Sequence, residues 1–158
     1  MSIAVVDKVL DRLIRAIEGL LSLALLAAIA LNFINVIGRY VFGHSILVAD
    51  ELQIDVMIWI AFLGAGVVAW RGEHLRMDAL LVRAPAPVAS LLRFAELLLL
   101  IVLSGFVAVQ SWRYTGQMSG SVSPLGGIPM WVPHSAVVVG FGLIAVIGVR
   151  HLFRGGRP

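Results

Sequence analysis

Residues 19–38 read GLLSLALLAAIALNFINVIG and contain no formally charged side chain between Glu18 and Arg39. A helix of about 20 apolar residues is long enough to cross the roughly 30 Å hydrocarbon core of a bilayer. Three further apolar stretches of similar length follow, at about 52–70, 88–112 and 129–149. Their hydrophobic residues are continuous rather than alternating, and backbone amides in lipid must be paired within the span. We therefore predict four transmembrane helices.

The composition of the whole chain agrees with membrane placement. Of its 158 residues, 60% are hydrophobic and only 13% are charged, about half the charged share of a soluble domain. So few polar side chains cannot cover a water-soluble globule, and the high hydrophobicity excludes a disordered segment. The absence of cysteine excludes disulfides, thiolate metal sites and a cysteine nucleophile. The sequence predicts one all-α integral membrane domain over residues 1–158.

The basic residues predict the orientation, because cytoplasmic loops of membrane proteins carry an excess of Lys and Arg. Of the 12 basic residues, only Arg39 and Arg113 lie on the other side of the predicted spans. Both termini are therefore predicted to be cytoplasmic, with the links near 39–50 and 113–128 outside. Since the basic residues flank membrane spans instead of forming a continuous stripe, nucleic acid is not expected as a partner.

The segment before the first span is amphipathic. Apolar residues recur there at helical spacing with charges between them, namely Val5, Val6, Val9, Leu10, Leu13 and Ile17. We predict that this segment lies along the inner membrane surface before turning into the first span. Cleavage of a signal peptide is the alternative, because residues 28–30 read AIA. The acidic residues in the tail and an apolar run that continues to Ile37 argue against cleavage.

Polar side chains recur near the outer ends of the first two spans, where each must find a partner. Asn32, Asn35 and Arg39 share one helix face, and Glu51 and Asp55 lie four residues apart at the start of the second span. The two sets lie at similar depth if the spans are antiparallel neighbours. We predict an ion pair of Arg39 with Glu51 or Asp55. This outer polar seam either holds the helix pair together or shapes a docking surface for another protein.

A dense charged turn follows the second span, where residues 71–78 read RGEHLRMD. It is either a solvated link that enforces topology or a fixed network at the cytoplasmic surface that contacts a partner subunit.

The middles of the spans lack the groups that a carrier needs. Transporters hold their substrate or coupling ion with a charge or a broken helix near the bilayer midplane. Spans one, three and four carry no ionisable residue at their middles, and span two carries only Asp55 near one end. An autonomous four-helix transporter is therefore the less favoured interpretation.

The histidines allow a second alternative, a haem-bearing membrane anchor, because a pair could lie on each side of the membrane. His44 and His134 are predicted outside, and His74 and His151 inside. All four fall in links or at span ends, which disfavours this interpretation. Since no hydrolase triad, phosphate-binding loop or zinc motif is present, the sequence predicts no enzyme activity, cofactor or metal.

Several motifs together resemble a known family. Residues 35–45 read NVIGRYVFGHS, 49–52 read ADEL, and 59–65 read WIAFLGA. The charged turn at 71–78 and the stretch GGIPMWVP at 126–133 complete the set. These motifs resemble the small membrane subunit, DctQ type, of tripartite ATP-independent periplasmic (TRAP) transporters. The chain departs from the family at Ala49, where an aromatic residue is common.

The resemblance implies a role in organic acid uptake. In such systems a soluble periplasmic binding protein captures the acid, and a large membrane subunit moves it by an elevator motion driven by a sodium gradient. The small subunit is a non-catalytic scaffold in the bacterial inner membrane that braces the large subunit and helps the binding protein dock. The implied partners are the large TRAP membrane subunit, the periplasmic solute-binding protein and the lipid bilayer.

The resemblance also implies roles for particular residues. Arg39 and Glu51 would organise the outer seam. The cytoplasmic turn would be organised by Arg71, His74 and Asp78. The outer start of the last helix is marked by Gly126, Pro129, Trp131 and Pro133.

Overall fold

A computed structural model describes residues 3–71 and 85–153, and both stretches are mainly helical. Helix α1 is Ile3–Val41 and α2 is Leu47–Arg71; α3 is Ala86–Gln117, followed by a short 3-10 helix at Met118–Gly120, and α4 is Trp131–Phe153. The four α-helices of these stretches are each long and apolar enough to cross a membrane. The predicted all-α fold with four transmembrane helices is confirmed.

Helix α1 is longer than the span predicted within it. Its 39 residues extend over about 58 Å, nearly twice the thickness of the hydrocarbon core. The amphipathic N-terminal segment is helical, as predicted, but it continues into the first span without the expected turn. The stretch contains no proline, and its side chains Asp11 and Glu18 contact α2. These features keep the segment in line with the rest of α1.

The link between α1 and α2 is a tight helix cap built around Gly43. The N–H groups of Phe42 and His44 both donate to the carbonyl oxygen of Gly38, at 3.2 and 3.0 Å. The bond from His44 needs a left-handed residue just before it, and Gly43 has a φ of +68°. This cap reverses the chain so that α2 begins at Leu47.

The four helices pack as an open row. Helix α1 packs on α2, α2 packs on α4, and α4 packs on α3. Helices α1 and α3 therefore lie at the two ends of the row. The buried core contains Ala69 of α2 with Ile144 and Ile147 of α4, and Leu100 of α3 packs against it. Each end helix has one main neighbour in the described part of the chain, which leaves much of its apolar surface exposed.

Helices α2 and α4 approach closely at Gly140. A Cβ atom added there would lie 2.5 Å from the backbone oxygen of Phe62, so any side chain would push the helices apart. One turn away, a Cβ on Gly66 would lie 2.6 Å from a methyl carbon of Leu143. Small residues allow membrane helices to approach in this way. The short distance between α2 and α4 therefore depends on a glycine of each helix, Gly66 and Gly140.

A short hairpin, residues 121–130, joins α3 to α4. Val122 and Pro129 form an antiparallel bridge, and the N–H of Ser123 donates to the carbonyl of Ile128 at 2.9 Å. Helix α4 begins at Trp131, slightly later than the predicted start at 129. The difference arises because Pro129 belongs to the hairpin.

Candidate functional site at the two ends of the helix row

The polar contacts between helices concentrate at opposite ends of the row. We name the end that carries residues 39–50 and the hairpin the Arg39 end. The opposite end, with Arg71 and Arg150, is the Arg71 end. In the predicted orientation these ends face the outside and the cytoplasm, respectively.

At the Arg39 end, polar side chains join α1 to α2 in a regular ladder. Asn35 Nδ2 donates to Asp50 Oδ1 at 3.0 Å, and one turn further in, Asn32 Nδ2 donates to Gln53 Oε1 at 2.8 Å. A step of three residues along α1 matches a step of three along α2, as antiparallel helices require. Asn35 is only 4% exposed and also accepts a hydrogen bond from the N–H of Ile46 at 2.8 Å. Both the nitrogen and the oxygen of the Asn35 side-chain amide therefore form hydrogen bonds.

Arg39 lies on the same face of α1, but its partner is not a predicted one. Its Nη2 atom is 3.5 Å from Asp50 Oδ2, so the predicted pairing with Glu51 or Asp55 is wrong. Consecutive residues on a helix point about 100° apart. Asp50 therefore faces α1 while Glu51 faces the hairpin. Because both side chains of the ion pair are about half exposed, the pair contributes no more than about 1 kcal/mol.

Glu51 fixes the hairpin to the start of α2. Its Oε2 atom accepts a hydrogen bond from the N–H of Gly126 at 2.8 Å. The space around Gly126 is tight, since an added Cβ would lie 3.0 Å from the same oxygen and 3.1 Å from Val48. The structure thus joins two residues that sequence analysis had placed in separate groups.

The other residues expected at the start of the last helix have distinct positions. Pro129 is part of the hairpin bridge. Trp131 is the first residue of α4 and is about half exposed. Pro133 lies in the first turn of α4, where a missing backbone N–H leaves no helical bond unmade.

Asp55 lies deeper in α2 than Glu51, within electrostatic reach of Glu51 and His134. His134 Nδ1 is 2.5 Å from the carbonyl oxygen of Met130, and its ring packs 5.2 Å from that of Tyr114 on α3. His134 therefore links α4 to α3 through Tyr114.

The histidines considered as haem ligands have local contacts instead. His44 Nδ1 lies 2.8 Å from the carbonyl oxygen of Phe42, and His134 contacts its own helix and Tyr114. His151 lies at the end of α4, and His74 lies outside the described residues. These contacts give no support to a haem site.

The Arg71 end contains a cluster that sequence analysis missed. Trp70 Nε1 donates to Asp11 Oδ1 at 2.9 Å, and the Arg150 guanidinium lies 4.0 Å from the centre of the Trp70 ring. Arg71 Nη2 forms an ion pair with Glu18 at 2.5 Å. Trp70 thus contacts α1 through its ring nitrogen and α4 through its ring face. Three helices are joined at this end.

The predicted cytoplasmic turn network is therefore described only in part. Arg71 belongs to the cluster with α1, while His74 and Asp78 lie outside the described residues.

Two signals in the sequence could have found the missed contacts. Asp50 and Gln53 have the same spacing of three as Asn32 and Asn35 on the antiparallel helix. On α1, Asp11 and Glu18 are seven residues apart and share a helix face with the apolar Ile14.

The described contacts serve to hold this chain's own helices together. Within residues 3–71 and 85–153, no group of three or more His, Asp or Glu side chains is placed to hold a metal ion. The ladder, the Glu51–hairpin bond and the Trp70 cluster each join one helix or loop to another. The fold and these contacts define a multi-pass α-helical membrane protein.

The chain belongs to the DctQ component family of the tripartite ATP-independent periplasmic transporters, whose family profile matches residues 28–157. A Haemophilus influenzae protein assigned as a TRAP transporter small permease is 25% identical over 147 residues, covering 93% of this chain and 87% of that protein. The ectoine TRAP transporter small permease protein TeaB of Halomonas elongata is 29% identical over 91% of this chain and 75% of its own length.

A third relative is the C4-dicarboxylate TRAP transporter small permease protein DctQ of Vibrio cholerae, 31% identical over 61% of this chain and 42% of its own. The family resemblance predicted from the motifs is thereby confirmed. The relatives are permease subunits of transporters rather than enzymes, and membership of the family implies association with other TRAP components.

Proposed function

We propose that this chain is the non-catalytic scaffold subunit of a sodium-driven TRAP transporter for organic acids in the bacterial inner membrane, with both termini in the cytoplasm. In this proposal the large subunit carries the solute and a periplasmic binding protein delivers it. This chain braces the large subunit and helps the binding protein to dock.

The observation that carries the proposal is the open row of helices, in which the described polar contacts join one helix to the next. The ladder and the Trp70 cluster use polar side chains to join neighbouring helices. Large apolar side chains are exposed along the middles of the predicted spans in the two end helices, with Leu23 and Phe33 on α1 and Leu99 and Phe106 on α3. Such surfaces suit lipid and the helices of a partner, whereas a carrier needs polar groups along a central path.

The hairpin at the Arg39 end supports the docking part of the proposal. Val122 and Leu125 are both more than half exposed on it, and the Glu51–Gly126 hydrogen bond holds the hairpin in place. A fixed loop loses less conformational entropy on binding than a free one. We propose that this surface, together with the outer polar seam, contacts the binding protein.

The relatives support an accessory role in another way. One is named for ectoine and another for C4-dicarboxylates, although both are close to 30% identical to this chain. Small subunits named for different solutes are thus each similar in sequence to this chain. We propose that the large subunit and the binding protein choose the solute.

The test is assembly with the large TRAP subunit of the same organism. The tagged chain, co-expressed with that subunit, should purify with it at a constant ratio, and deletion of the chain should abolish uptake in cells. Full uptake by cells that lack this chain would overturn the scaffold proposal. Re-expression of the chain from a plasmid controls for effects on the neighbouring genes.

A further inference from the structure

The N-terminal part of α1, residues 8–20, has three chemically different sides. One side faces α2: Asp11 and Glu18 bond to Trp70 and Arg71, and Ile14 between them is buried. Both acidic residues of this segment are therefore committed to contacts within the chain.

A second side is basic. Lys8, Arg12 and Arg15 lie at i, i+4 and i+7, which places them within a sector of roughly 60°. All three are exposed. Arg15 Nε donates to the backbone carbonyl of Asp11 at 3.3 Å, and this acceptor is a neutral carbonyl oxygen rather than a carboxylate. This sector is about a quarter turn from the side that faces α2.

The third side is apolar and lies opposite α2. Val9, Leu13 and Leu20 fall within a sector of roughly 40°, and they are 61%, 48% and 66% exposed. A helix with an apolar side flanked by basic residues is suited to the boundary between lipid headgroups and acyl chains.

We propose that residues 8–20 bind anionic phospholipid headgroups through Lys8, Arg12 and Arg15, with Val9 and Leu13 against the adjoining acyl chains. Charge complementarity selects this ligand, because within residues 8–20 both acids bond to α2 whereas Lys8, Arg12 and Arg15 are exposed on another side. The inference goes beyond the proposed function and does not depend on it. Each basic residue near an anionic surface strengthens the attraction by about fivefold.

The absence of cysteine from the chain allows a single probe at this site. Ala16 is exposed between the basic and the apolar sides, so an Ala16→Cys substitution can carry a fluorophore without disturbing either. The full chain is reconstituted in vesicles that contain 5-doxyl phosphatidylglycerol or, at equal mole fraction, 5-doxyl phosphatidylcholine. Quenching of the fluorophore by the two lipids then reports local lipid enrichment.

We expect the phosphatidylglycerol analogue to quench severalfold more strongly than the phosphatidylcholine analogue. Joint substitution of Lys8→Gln, Arg12→Gln and Arg15→Gln should reduce that ratio to about one. The matched control, Lys8→Arg with Arg12→Lys and Arg15→Lys, preserves the charges and should preserve the ratio. Equal quenching by both lipids in the Ala16→Cys chain that keeps its three basic residues would overturn the proposal. Equal quenching is also the result expected if the segment docks on an acidic protein surface instead of lipid. A ratio unaffected by the three glutamines would also overturn the proposal.

Discussion

At the level of single residues, burial decides which polar contact stabilises the fold. Arg39 carries a full positive charge, but its ion pair with Asp50 is about half exposed to solvent. Asn35 is neutral and nearly inaccessible, and it bonds both Asp50 and the N–H of Ile46. Loss of a buried hydrogen-bond partner leaves groups unsatisfied, which costs more than loss of a solvated ion pair. Asn35 is therefore the stronger link between α1 and α2.

Asn35→Ala is expected to lower the free energy of unfolding by about 1–3 kcal/mol. Arg39→Ala should lower it by less than about 1 kcal/mol. Thermal unfolding of both variants in the same detergent, followed by circular dichroism, gives the comparison. A larger loss for Arg39→Ala than for Asn35→Ala would contradict this ranking.

Glu51→Ala should loosen the hairpin, because the substitution removes the shorter of the two hydrogen bonds from the Gly126 N–H and leaves only the 3.4 Å contact with Ser123 Oγ. Hydrogen exchange of residues 121–130 is expected to accelerate about tenfold, since a hydrogen bond to a charged group contributes about 1.5–3 kcal/mol and this one is partly solvated. Glu51→Gln keeps a side-chain oxygen at the same position and should stay near the native rate. Unchanged exchange in Glu51→Ala would show that the bond does not hold the hairpin.

At the level of helices, close packing at Gly140 sets the distance between α2 and α4. The backbone of Phe62 occupies the space that a Cβ atom would need. Another glycine of the same helix, Gly142, has nothing within 4 Å of a Cβ position. The two positions therefore form a matched pair on one helix.

Gly140→Ala should destabilise the protein by about 1–3 kcal/mol, because the helices must move apart to admit the methyl group. Gly142→Ala should be neutral or stabilising by up to about 1 kcal/mol, since alanine favours a helix over glycine. Thermal unfolding of the two variants measures the difference. Equal effects would mean that the close approach of α2 and α4 has been placed at the wrong residue.

The positions of the helices are the feature of the fold that the sequence predicts best. Continuous apolar runs predicted all four spans, because lipid allows only helices with internally paired backbones there. Side-chain partners were harder to predict, as Arg39 shows: Asp50 and Glu51 are adjacent in sequence, and only the rotation of α2 decides which one faces α1. The unbroken α1 was missed because its N-terminal segment is held by Trp70 and Arg71, which are distant in sequence.

At the level of the whole molecule, the open row can be tested through cysteine pairs, because the chain has no cysteine of its own. Asn32→Cys with Gln53→Cys should form a disulfide on oxidation, since these side chains touch across α1 and α2. Ala30→Cys with Leu103→Cys, in the middles of the end helices, should not. An intramolecular disulfide between the latter pair, seen as a shifted monomer band, would indicate a closed bundle instead.

The order in which the four helices pack in the open row could not be predicted from the sequence. Composition and motifs pointed to an accessory membrane subunit, but the order of helices depends on packing at Gly140 and Gly66. A row whose two end helices expose apolar side chains can pack against the helices of a larger membrane assembly. We propose on these grounds that the chain supports transport without carrying the solute.

Reconstitution in proteoliposomes tests that claim most directly. Uptake of the labelled organic solute that the system's own binding protein binds is measured under an inward sodium gradient, first with this chain alone and then with its large subunit and binding protein. We expect background uptake for the chain alone and sodium-dependent uptake of the solute only when all three proteins are present. Uptake by this chain alone, or full uptake by the other two proteins without it, would contradict a supporting role for this chain.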